Sequence, residues 1–178
     1  MPETDTGAPP RALLVVAAVL VLVLAAGIAI IGLVVRGSGG DQEGPLALVP
    51  VEAPQAGSAE CAKLIPALPA QLESKGTPLQ RRTIAEPAPE ATVAWGAPDS
   101  IVLRCGLNKP PELTPTSQLR SVNGVQWLPV EGPGASTWYV VDRGVYVAMT
   151  VPDSTGTGPL QQISDTIAAT LPPAPLRF

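Results

Sequence analysis

Twenty-four consecutive residues from Ala12 to Val35 are Ala, Leu, Val, Ile or Gly, with no polar side chain among them. No other feature constrains the chain as much. As a helix the run measures roughly 36 Å at about 1.5 Å per residue, enough to cross a hydrocarbon core of about 30 Å with some tilt. A single strand cannot satisfy its backbone in lipid, so helix is the form the run must take there. Arg11 and Arg36 bound it at both ends. A cleaved signal peptide has an apolar region of only about 7 to 15 residues before a small-residue site. The longer run therefore predicts an uncleaved anchor. Gly27 and Gly32 are five apart and do not form the small-residue packing motif of membrane helix pairs.

Arg11 against Arg36 leaves the positive-inside count nearly even. The rest of the chain decides orientation. The ten residues before Arg11 are too few to fold, whereas the C-terminal part carries both cysteines. An even cysteine count fits a disulfide in an oxidising compartment. The expectation is a cytoplasmic tail (1–11), a transmembrane helix (12–35), a linker (36–54) and an extracytoplasmic domain (55–175), giving a single-pass plasma-membrane protein. Gly37-Ser38-Gly39-Gly40 and the prolines at 45, 50 and 54 carry linker composition, and a coil from 37 to 50 would span roughly 20 Å. Leu46 to Val51 is a candidate edge strand limited by Pro50.

The domain reads as α+β. Ser58 caps a first helix bearing Cys61, Leu64, Ile65 and Leu68, which Pro66 and Pro69 cut short. Strands are expected at Arg81–Ala85, Thr92–Trp95 and Ile101–Cys105. Val122-Asn123-Gly124-Val125 is a hairpin signal, because Asn-Gly accepts the positive φ of a type I′ turn. A second hairpin joins Trp138–Val141 to Val145–Val151 through Asp142-Arg143-Gly144. A last helix starts near Pro159 and places Leu160, Ile163, Ile167 and Leu171 on one stripe. The order helix, strands, helix implies a small antiparallel sheet with two helices packed on one face. Period two puts Val145, Val147, Met149 and Val151 in the core, and gives Ile101, Leu103 and Cys105 one face and Val102 and Arg104 the other.

Function is bounded mostly by exclusion. The chain has no histidine, so histidine-based catalytic triads and histidine metal sites are ruled out within it. Two cysteines cannot make a four-thiolate site, so neither metal nor cofactor is expected. A net charge of −4 gives no footprint for nucleic acid. Cys61 and Cys105 are 44 residues apart, unlike a redox C-x-x-C pair, and predict a structural disulfide.

Trp95-Gly96-Ala97-Pro98, then Ile101-Val102-Leu103-Arg104-Cys105-Gly106 and Pro110, resemble an actinobacterial family of membrane-anchored domains of unknown function, DUF3515. Val122-Asn123-Gly124-Val125-x-Trp127, Asp142-Arg143, Cys61 with Leu64 and the single N-terminal apolar helix fit the same pattern. The resemblance implies a cell-envelope location and no established activity.

Two kinds of function are expected. The first is a non-enzymatic envelope module that binds or assists a membrane-protein complex or a cell-wall component. Its candidate surface is Trp95, Arg104, Trp127, Trp138, Tyr139, Arg143 and Tyr146, where aromatic faces and guanidinium forks suit carboxylate, phosphate or polymer ligands. The bland reading of these residues is sheet packing and ordinary ion pairs, Arg104 or Arg143 pairing with Asp142 or Asp99. The alternative is an envelope-polymer hydrolase using two of Asp99, Glu112, Asp142 and Asp153, which would have to face each other within about 5 to 10 Å.

Overall fold

A computed structural model of the chain describes residues 20, 21, 23–25, 27 and 44–178. The expected membrane segment, 12–35, lies largely outside the described residues; those within it are helical. Among the described residues no helix is long and apolar enough to cross a membrane. The chain divides into two units, Met1–Gln42 and Glu43–Phe178.

The second unit is one α+β layer pair. Its elements are α1 (Ala59–Ala67), β1 (Gln71–Ser74), β2 (Thr77–Arg82), β3 (Thr92–Trp95), β4 (Ile101–Leu107), β5 (Arg120–Val122), β6 (Val125–Gly132), β7 (Ala135–Val140), β8 (Tyr146–Pro152) and α2 (Gly158–Thr170). The strands form an antiparallel sheet in the order β1-β2-β3-β4-β8-β7-β6-β5. Both helices contribute to one core with Trp95, Ile101, Leu103, Trp127, Val140, Val147 and Met149. The face on which the sequence placed Val145, Val147 and Met149 is thus the helix-covered one.

Local chemistry sets the helices. Ser58 caps α1 by accepting from the Cys61 N–H at 3.3 Å. At the other end Arg81 donates to the carbonyls of Ile65 and Leu68, and Trp95 Nε1 donates to that of Pro69 at 2.9 Å. Pro69, with no N–H, leaves the Ile65 carbonyl without its helical donor, and the Leu68 and Pro69 carbonyls lie past the helix end. In α2 the stripe of Leu160, Ile163 and Ile167 is buried. Ser164 on the same side accepts the Trp127 indole N–H at 2.9 Å and donates to Leu160 O. A buried indole donor is thereby satisfied.

The Cys61–Cys105 disulfide joins α1 to β4, with both residues buried. Just past it, β4 bulges between Cys105 and Leu107. Gly106 sits there with φ +86°, and a Cβ on it would fall 2.3 Å from the backbone of Gln55 and Ala56. Only glycine allows that approach.

Three strand expectations and two domain boundaries need correction. The strand placed at Arg81–Ala85 is Thr77–Arg82, and it pairs with β1, which was not expected at all. A tight Lys75-Gly76 turn with both φ positive closes that hairpin. Leu46–Val51 is not a strand: Leu46 makes one parallel bridge to Ile84, and prolines on both sides stop it there. Residues 44–54 are not linker either. Leu46 exchanges backbone hydrogen bonds with Thr83 and Ala85, Arg82 donates to Gly44 O, and Gln55 N donates to Gly106 O. The rest of the expected linker, 36–43, lies outside the described residues. At the other end the fold runs past 175, since Tyr146 donates to Arg177 O at 3.0 Å.

Candidate functional site

The seven residues expected to form one surface do not share one. Trp95 and Trp127 are fully buried beneath the helices. Trp138, paired with Met149, lies partly buried at the margin of that core. Period two sends Tyr139, Tyr146 and Arg104 to the opposite face, because Arg104 and Tyr139 both pair with Ala148. Tyr146 stands two residues from Ala148 on β8. It packs with Leu107, Leu113, Leu128 and Val141 in a second, smaller core.

Arg143 leaves the set for another reason. Its side chain is 2% exposed and bonds Asp142 Oδ2 at 2.8 Å. It also donates to Asp142 O and to Gly124 O, tying the β7–β8 turn to the Asn123-Gly124 turn. The expected ion pair exists, but it is internal, and the guanidinium cannot meet a ligand.

What remains is the face away from the helices. Ala148 is small, so the long side chains of Arg104 and Tyr139 on the two flanking strands meet across it. One row further, Thr137 and Thr150 place their hydroxyls 3.2 Å apart beside Val102. Arg104 makes no ion pair within 4 Å among the described residues. Its Nε is buried without a partner, and its one side-chain hydrogen bond is a long one, 3.4 Å, to Val49 O. Burial lowers the Arg104 pKa from its ordinary value, with the Tyr139 hydroxyl acting the other way. Burial raises that of Tyr139, and the charge of Glu112 adds to this while Arg104 opposes it. The patch therefore presents a cation, a neutral phenol and a carboxylate on a half-covered sheet face. A guanidinium with no counter-ion among the described residues, on the same face as a phenolic hydroxyl, can take a planar or tetrahedral anion.

The raised Tyr139 value has a measurable consequence. The neutral phenol is the form that the fold favours. Its contribution is present below the ordinary value near 10 and is lost as pH rises through the folded value. Absorbance titration at 295 nm is expected to show a phenol ionising above 10, and Tyr139→Phe to remove that component.

Arg82 and Arg81 flank an open groove of about 440 Å³ beside β2 and Gly96-Ala97. Both are engaged in the framework: Arg81 seals the α1 end, and Arg82 donates to Gly44 O and to the Ser100 hydroxyl. Two of the carboxylates proposed for hydrolysis are engaged elsewhere, and the other two, Asp99 and Asp153, are linked only through Ser154, the residue after Asp153. Asp142 is spent on Arg143, Glu112 faces Tyr139, and Asp99 accepts from the Ser154 hydroxyl in a groove that Asp153 does not line. No groove described here is lined by two of them. No cluster of three or more metal-ligating side chains occurs among the described residues.

Sequence reasoning named Arg104 and Tyr139 but not Glu112 as their neighbour, nor the segment 44–53 that covers them. The parity of Tyr146 against Val145 and Val147 was the signal that could have separated the two faces. No curated protein and no solved structure matches the chain. The family model described as Protein of unknown function (DUF3515) matches residues 14–176, and the chain belongs to that family.

Proposed function

We propose that the protein is a single-pass, membrane-anchored component of the cell envelope. Its N-terminus is cytoplasmic, and its folded unit is a non-enzymatic interaction module on the oxidising side. The module works through the Arg104–Tyr139 face, engaging a membrane-associated partner or an envelope component. The observation that carries this reading is Arg104, a half-buried cation that makes no ion pair among the described residues and whose side chain donates one long hydrogen bond, to Val49 O. A cation desolvated that far without a counter-ion is unfavourable unless a ligand supplies one. The apolar run supports the anchor, since the family match begins inside it at residue 14. The disulfide supports an oxidising compartment. The hydrolase reading loses Asp142, which is spent on Arg143, and no groove described is lined by two of its candidate carboxylates.

A photo-crosslinking residue in place of Thr137, beside the patch, tests this in cells. Adducts to one discrete envelope component, absent with Arg104→Ala and absent from the same probe at Asp165 on α2, are the expected result. Identical adducts from both positions, or none from Thr137, would contradict it.

A further inference from the structure

Among the described residues outside the N-terminal unit, three large apolar side chains are exposed: Val49 (78%), Val51 (51%) and Phe178 (55%). Scattered exposed apolar residues need no explanation. These three are not scattered. Val49 accepts from Arg104 and so lies over the patch. Val51 is two residues before Ala53, which packs on the second core. Phe178 follows Leu176, which packs on the same core, and Arg177, whose guanidinium stacks 5.2 Å over the Tyr146 ring. All three therefore project from chain laid over the face away from the helices. From Pro45 to Val51 that chain carries no charge.

The same segment leads back towards the apolar run. Arg82 and the Leu46–Ile84 bridge hold the chain at 44–46. Only the eight residues 36–43 separate that point from Val35. Even fully extended, such a length reaches about 30 Å, and as a coil it averages about 16 Å. A folded unit on so short a leash stays beside the surface that holds its anchor, and the strapped face is the one where the leash attaches.

From these observations we infer that the face bearing Val49, Val51 and Phe178 docks on the lipid bilayer, with those side chains in the headgroup boundary and Arg104 and Arg177 towards lipid phosphates. This deepens the proposed function and rests on its anchor. Glu52 and Glu112 lie on the same face and offset the cations, so apolar contact dominates. The docking is thus expected to persist in zwitterionic lipid and at high salt.

The test uses the full chain in phosphatidylcholine nanodiscs containing a gadolinium-chelated headgroup lipid, read by amide NMR. The amides of Val49, Val51 and Phe178 are expected to lose at least three-fold more intensity than those of Gln162 and Asp165 on α2. Replacing all three with Ser is expected to abolish the difference. Equal broadening on both faces, or stronger broadening of α2, overturns the docking and leaves the anchor standing. Bias that survives the triple substitution also overturns it. A bias that appears only when a protein partner is added assigns the face to that partner and overturns the lipid docking. Elution of the chain apart from the discs overturns the anchor and this inference together.

Discussion

Reducing the Cys61–Cys105 disulfide, or replacing either cysteine with Ser, is expected to cost about 4 kcal/mol of a total near 5–15 kcal/mol. The two cysteines are 44 residues apart, so breaking their bond releases a long loop in the unfolded chain. Chain entropy is only part of the reason. Cys61 lies on the buried side of α1 next to Leu64, and Cys105 sits at the β4 bulge where Gly106 meets Gln55. Losing the staple therefore loosens α1 and the end of the 44–53 segment together. Urea unfolding with and without reductant measures it: a fall of roughly 2 M in midpoint is expected for a slope near 2 kcal/mol per M. An unchanged midpoint would mean that packing alone holds α1.

Arg143→Met is expected to destabilise by about 3–5 kcal/mol, because it strands the Asp142 carboxylate in a buried site. Asp142 Oδ1 already lacks a partner, so no neighbour stands ready to replace the guanidinium. The substitution also removes the donor to Gly124 O that joins two turns. Asp142→Asn with Arg143→Met is expected to lose less than Arg143→Met alone, since both buried charges then disappear. A double variant as unstable as the single would show that the turn-to-turn bond, not the charge pair, carries the effect.

The legible parts of the fold were those whose cause lies within a few residues. Asn123-Gly124 adopts the positive φ values that its chemistry allows, and the hairpin closes as expected. The α2 stripe and the Ser58 cap are likewise local patterns. The cysteine pairing followed from there being two, and the structure joins them. What escaped depends on register or on backbone acceptors. β1 is four residues long and its partner contains Pro78, so it shows little strand pattern. Its outer edge is closed by Gln162, whose side chain bonds both the N–H and the C=O of Glu73, a role no spacing announces. Arg81, Arg82 and Arg104 bind main-chain carbonyls, and carbonyls look alike in every sequence. The tryptophans were placed on a shared surface because strand faces were assigned without pairing. Trp127 opposite Val140, and Val140 opposite Val147, is what buries it.

Compartment is the claim on which the functional reading stands. A cysteine introduced at the exposed Ser121, on β5, gives a thiol far in sequence from the staple. In intact cells expressing the full chain, a membrane-impermeant maleimide is expected to label Ser121→Cys without lysis, on a polypeptide that still contains 12–35. Labelling only after the cells are broken would contradict the account.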